Sequence, residues 1–190
     1  MKAGLNKKII IDVAMSLADK QGLSEVTIKA LAMELGVKPP ALYKHLRGGI
    51  DELYQEMTLC GWQSLDNDIA RSAVGKSKDE AIIAICYAFR NYSLAHPGVF
   101  EVMQWHNSYT TALNKESTQG IIASLYQVLD AYHMNPDEKL HILRLLRGFV
   151  QGYAAIEMHG GFGDPISTSD SFDYALRVLI DGIKNVQDNK

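Results

Sequence analysis

Thr27-Ile28-Lys29-Ala30-Leu31-Ala32-Met33-Glu34-Leu35-Gly36-Val37-Lys38-Pro39-Pro40-Ala41-Leu42-Tyr43-Lys44-His45-Leu46 is the stretch that decides the fold. Ile28, Leu31, Ala32 and Leu35 recur at helical spacing behind a threonine whose hydroxyl suits an N-cap. Gly36 then supplies the left-handed backbone that ends a helix. A second helix is expected from Lys38 through Leu46, with Pro39 and Pro40 in a first turn where backbone N–H groups have no intrahelical partner. Leu42 and Leu46 fall four apart and face inward, which leaves Lys38, Pro39, Ala41, Tyr43, Lys44 and His45 outward. Two short helices across a tight turn make a helix-turn-helix, and a basic, aromatic outer face suits phosphates and base edges in a major groove.

Working outward, Ile10, Val13, Ala14, Leu17 and Ala18 form one apolar stripe that stops near Gly22 and supplies a third helix to pack on the other two. Through Gly48 the chain carries eight Lys or Arg against four Asp or Glu, a balance of +4, whereas the remainder carries eleven bases against eighteen acids, −7. A small basic head joined to an acidic body is the asymmetry expected when only the head meets a polyanion.

From about Lys7 to Leu53 the chain resembles the TetR-type transcriptional regulators. The resemblance rests on Thr27 opening the second helix, Gly36-Val37 at the turn and Leu42-Tyr43-Lys44-His45 in the recognition helix. It implies an N-terminal three-helix DNA-binding domain, expected over residues 1–48, and a five- to six-helix ligand-binding and dimerisation domain over 49–190. Many members carry a lysine at the start of the fourth helix, where this chain reads Arg47-Gly48-Gly49-Ile50-Asp51-Glu52-Leu53. Backbone N–H groups around Gly49, with Arg47 nearby, are expected to take the phosphate instead. Lys38, Pro39, Pro40, Ala41 and Tyr43 are the expected base-edge face, and Thr27, Lys29, Lys44, His45 and Arg47 the expected phosphate contacts. Arg144 to Tyr153, followed by Ile156-Glu157 and the glycines Gly160, Gly161 and Gly163, resembles the regulatory domain of the TetR subgroup named for a Trp-His-Gly motif. Gln151 stands where that subgroup has a histidine.

The class is all-α: no strand-like alternation and no internal repeat interrupts the helical periodicity. Further helices are expected from Ile50 into the low seventies, Ser77 to Ala95, a short one after His96-Pro97-Gly98, Ser108 to Tyr132, Asp137 to His159, and from Ser167-Thr168 to about Gln187. With 47% hydrophobic and 22% charged residues the chain has enough apolar content for a packed core, and it holds no run near the roughly 20 apolar residues of a membrane span. The N-terminus reads as a helix start without a signal peptide, so the expected compartment is the cytoplasm. Cys60 and Cys86 fit no metal or disulfide pattern and read as small buried hydrophobes.

In the last helix Phe172, Leu176, Leu179, Ile183 and Val186 recur as an a/d seam, and Val178 and Ile180 add a second apolar face. With Leu143 and Val150 of the preceding helix they are the expected dimer contacts, and the family resemblance implies a two-fold homodimer on a roughly palindromic double-stranded operator. Trp62, Tyr87, Arg90, Phe100, Met103, Gln104, Trp105 and Tyr126 are the candidates for a small-molecule effector pocket, with Trp105 as first choice for its wall; His106 and Tyr109 add to the aromatic content. Core packing is the competing role for each. Glu138-Lys139-Leu140-His141 has the spacing of di-iron bundle motifs but has no second copy, and neither a catalytic group nor a cofactor is expected. The other reading these residues allow is a helical small-molecule-binding module that does not read DNA.

Overall fold

The structure, a computed structural model, describes residues 4–105, 112–163 and 165–188. His106, Tyr109 and the expected helix start near Ser108 lie outside the described residues. The helices are α1 (Lys7–Gln21), α2 (Ile28–Glu34), α3 (Pro39–Tyr43), α4 (Gly49–Ala73), α5 (Lys78–Ala95), α6 (Pro97–Trp105), α7 (Ala112–Asp130), α8 (Pro136–Met158) and α9 (Thr168–Asp188), with one 3-10 turn at Leu23–Glu25. There is no strand among the described residues. The fold is all-α, as the periodicity requires.

Packing divides the chain into two compact units, Met1–Ser64 with Ala95–Ser117, and Leu65–Leu94 with Thr118–Lys190. The first unit holds the helix-turn-helix. Asn6 and Thr27 cap α1 and α2, accepting from the backbone N–H groups of Ile9 at 2.9 Å and Ala30 at 3.1 Å. Gly36, at φ 66°, ends α2 in the left-handed region, and Val37 N–H returns to Ala32 O. Helix α3 is shorter than the sequence predicts. Both His45 and Leu46 N–H groups turn back to Leu42 O, so the last turn tightens after Tyr43 and Lys44 to Leu46 lie outside the α-helix. Ile10, Ala14, Leu31, Leu42, Leu46, Leu53, Met57 and Val102 fill one core.

Val102 belongs to α6, which lies on α1. Gly98 makes that possible: a Cβ there would sit 2.7 Å from the Cβ of Ala18 and closer still to its carbonyl. The close approach puts Asp19 of α1 over the first turn of α6, where its carboxylate accepts Val99 N–H at 3.0 Å and lies 2.9 Å from His96 Nδ1. An N-terminal N–H of α6 is thus satisfied by a side chain from a different helix.

In the second unit, Ile82, Ile85 and Phe89 of α5, Leu125 and Leu129 of α7, Leu146 and Val150 of α8, and Phe172, Leu176 and Ile180 of α9 are buried. Helix α8 opens in a capping box: Asn135 Oδ1 accepts Glu138 N–H at 3.0 Å and Glu138 Oε2 accepts Asn135 N–H at 2.9 Å. Glu138, half of the Glu-x-x-His spacing, is therefore engaged as a helix cap.

Gly98→Ala is expected to lower unfolding stability by about 1–3 kcal/mol, because backbone rather than a side-chain tip must move. Asn91→Ala, at an exposed position inside α5, is expected to raise helix stability by about a few tenths of a kcal/mol. Urea melts of the two variants with equal midpoints would contradict the close-approach account.

Candidate functional site

The outward face of α3 and its flanks is assembled by burying the opposite side. Leu42 and Leu46 are fully buried, which leaves Lys38, Pro39, Pro40, Tyr43, Lys44 and Arg47 exposed and Ala41 and His45 half-buried. Thr27 and Lys29 are also exposed at the start of α2. Thr27 accepts from Ala30 as a cap, and its hydroxyl also carries an O–H donor. The tyrosine ring is 50% exposed and lies beside the start of α4, its Cε1 3.7 Å from where a Gly49 Cβ would be. Gly49 has φ 65°, a conformation in which a larger residue would be strained.

The start of α4 differs from expectation. Gly48 N–H donates to Glu52 Oε2 at 2.8 Å, so a carboxylate of the protein occupies a donor expected to meet DNA. Lys7 of α1 reaches the other oxygen of Glu52 at 2.7 Å and Glu56 at 2.5 Å. Its ammonium, and then the Gly48 N–H, hold the Glu52 carboxyl below its ordinary range, and the two carboxylates raise Lys7. Lys7 and Glu52 lie 45 residues apart, beyond the reach of local sequence patterns.

The effector candidates do not form one described cluster. Trp62, Phe100 and Met103 are buried in the first unit at 2%, 1% and 0% exposure, as core residues. Gln104 is exposed, and Trp105 is 79% exposed where a pocket wall was expected. Tyr87, Arg90 and Tyr126 belong to the second unit. Tyr126 is half-buried. Tyr87 donates its hydroxyl to Asp173, and burial first, then that carboxylate, push the phenol up to about 12. Arg90 is buried and ion-paired: Nε and Nη2 donate to the two oxygens of Glu157 at 2.7 and 2.5 Å, and Nη2 reaches Ser169 Oγ at 3.2 Å. Its guanidinium lies 5.0 Å from the centroid of Phe172 and 6.0 Å from that of Tyr153. The bond to Arg90 keeps the Glu157 carboxyl below its usual range, against the opposing effect of burial.

The dimer candidates divide by face. Phe172, Leu176 and Ile183 are buried within the protomer, as are Leu143 and Val150, whereas Leu179 is half-buried and Val186 is 58% exposed. Phe172 stacks on Phe149 at 5.2 Å and meets Tyr153 edge-on at 5.0 Å. The a/d seam of α9 is thus largely core. Of the second face, Ile180 is buried and Val178 is 54% exposed. The outer faces carry Tyr174, Val178 and Val186 on α9 and Leu145 and Ile156 on α8, with open space around Gly148, Gly152 and Gly182.

A tri-helical head with an exposed basic recognition face, followed by an all-helical body, defines a helix-turn-helix protein. Residues 10–57 match the model of the bacterial regulatory proteins of the tetR family, and residues 82–179 that of the tetracyclin repressor-like C-terminal domain. The chain belongs to the TetR family of transcriptional regulators. It is similar to the HTH-type transcriptional regulator YobS of Bacillus subtilis, with 23% identity across 96% of this chain and 94% of that one. Two solved structures share the fold. One is a possible TetR family regulator from Streptomyces coelicolor, with TM-score 0.76, 19% identity and coverage of 95% and 100% of the two chains. The other is a TetR variant from Acinetobacter baumannii in complex with minocycline, with TM-score 0.73, 20% identity and coverage of 96% and 98%. No helix among the described residues is long and apolar enough to cross a membrane.

Because the Glu157 carboxyl is depressed in the folded state, its contribution to stability is present above the unfolded value of 4.5 and is lost as pH falls through the folded one. Glu157→Gln is expected to flatten the acid limb of the stability profile below pH 4.5. Glu157→Ala, which strands the buried Arg90, is expected to cost about 3–5 kcal/mol at neutral pH. Thermal melts between pH 3 and 7 check both, and an unchanged acid limb in Glu157→Gln would remove the pair from the account.

Proposed function

We propose that the protein is a ligand-responsive repressor that binds a palindromic double-stranded operator as a homodimer and is released by a small molecule. The observation that carries this reading is the outer face of α3, where exposed Lys38, Tyr43 and Lys44 stand on a scaffold fixed by fully buried Leu42 and Leu46. Lys38, Pro39, Pro40, Ala41 and Tyr43 take the base edges, with Pro39 and Ala41 offering apolar contact to a thymine methyl. Thr27, Lys29, Lys44, His45 and Arg47 position phosphates, which sets register without reading sequence.

Self-association through α8 and α9 is favoured by the small and apolar outer faces. Glycines at 148, 152 and 182 let a second pair of helices approach closely, with Leu145, Ile156, Tyr174, Val178 and Val186 as the buried contacts. Two-fold symmetry then places one recognition helix on each half-site, a helical turn or a multiple of it apart. The effector is an apolar or planar molecule, in keeping with the aromatic content of the second unit, where Tyr87 and Tyr126 lie. The minocycline complex of a TetR variant that shares this fold is a precedent for a small-molecule ligand. Release follows when the effector binds the DNA-incompetent arrangement more tightly than the competent one. Arg144 to Tyr153 support a place for the body in the Trp-His-Gly subgroup, with Gln151 in place of its histidine, and action on an operator is in keeping with the cytoplasm.

Tyr43→Ala is expected to weaken specific operator binding by about 1–3 kcal/mol. Lys44→Ala is expected to weaken all sequences alike and lower the salt slope by about one. Duplexes selected from a random pool provide the operator, and equal losses for Tyr43→Ala on operator and random DNA would reject its base-reading role. Val178→Asp is expected to shift the dimer to monomer in sedimentation while leaving the far-ultraviolet helical signal intact; a variant that stays dimeric would place the interface elsewhere.

A further inference from the structure

Glu52 stands where a phosphate-binding helix start is expected, and three observations define what it does there. Its Oε2 accepts Gly48 N–H at 2.8 Å, which takes that donor out of reach of an external anion. The single ammonium of Lys7 is shared by Glu52 at 2.7 Å and Glu56 at 2.5 Å, two carboxylates to one cation. Tyr43, half-exposed on the recognition face, packs beside Gly49, so the carboxylate belongs to the edge of the surface that would meet DNA. Gly48, Gly49 and Ile50 supply no cation at this point, and Glu52 puts a negative charge there.

We infer that Glu52 is an internal occupant of the phosphate position at the start of α4, and that its charge holds down the sequence-independent part of DNA affinity. This rests on the DNA-binding reading above. A carboxylate fixed on a backbone donor both blocks that donor and repels the phosphate that would use it. Isosteric Glu52→Gln removes the charge while its amide oxygen still accepts from Gly48. The operator and a random duplex then bind more tightly by a similar factor, roughly three- to tenfold at low salt, and the slope of log affinity against log salt steepens by about one. The ratio of specific to random binding stays unchanged, because base contacts are untouched.

The experiment measures wild type, Glu52→Gln and Glu56→Gln on operator and random duplexes across a salt series, with a thermal melt of each. Glu56→Gln removes a carboxylate from Lys7 without touching Gly48, and is expected to leave the salt slope as in wild type. A steeper slope for Glu52→Gln alone supports the inference. Equal slopes in all three proteins, or the same steepening in both variants, overturn it and leave Glu52 a helix cap or one more surface charge. Wild-type protein that binds no duplex at all overturns the DNA-binding reading instead. A separate arm remains informative in that case: titration with inorganic phosphate is expected to shift the Gly48 amide resonance in Glu52→Ala, which frees that donor, and not in wild type. A wild-type Gly48 amide that responds to phosphate overturns the inference without reference to DNA and without requiring either variant to fold.

Discussion

The head of this protein depends on a contact that only a hydrogen atom permits. Gly98 brings the backbone of α6 onto Ala18 of α1, and Asp19 then caps the first turn of α6 through Val99 N–H. A tri-helical unit of about fifty residues has a high ratio of surface to volume and little apolar material with which to offset the loss of chain entropy. Docking α6 adds Val102 to the core built by Ile10, Leu31, Leu42 and Leu46. Recognition helix α3 has only five residues, too short to persist alone, and it keeps its shape because Leu42 and Leu46 are held in that enlarged core.

A different chemistry organises the second unit. Arg90 is buried among a bidentate carboxylate, a serine hydroxyl and two aromatic rings. Such a pair adds little net stability relative to apolar residues of similar size, but losing either partner strands a buried charge. Here the partners come from α5, from the end of α8 and from the start of α9, and Thr168 completes the set by donating to Glu157. The turn of Gly160 to Gly163 is thereby spanned by side chains on both sides of it.

Much of this was legible in the sequence, and the limits have physical reasons. Helix positions follow from the 3.6-residue period, and the turn at Gly36 follows from backbone conformation alone. Periodicity identifies a stripe without naming what covers it, which is why Phe172, Leu176 and Ile183 read as a dimer seam and are core instead. Trp105 and Trp62 illustrate the same gap: identical residue type, yet 79% and 2% exposed. The outward face of α3 was legible because the buried leucines and the exposed residues share one short segment. The Lys7–Glu52 and Arg90–Glu157 pairs were not, since 45 and 67 residues separate the partners and nothing local marks either one. A Glu four residues after Gly48, in a segment already suspected of helix-start chemistry, was the available signal for the first.

Helix α4 carries a mechanical consequence. It runs uninterrupted for 25 residues, and its first part is packed with the head while its last part is packed with the body. At 1.5 Å per residue that is a rod of about 37 Å, longer than a typical globular helix by a factor of about two. Gly61 seats its middle against Met103 and Val99, where a Cβ would come within 2.9 Å of each residue. Helix α4 can lie this close to α6 only while position 61 lacks a side chain, so any larger residue there must push Met103 and Val99 aside.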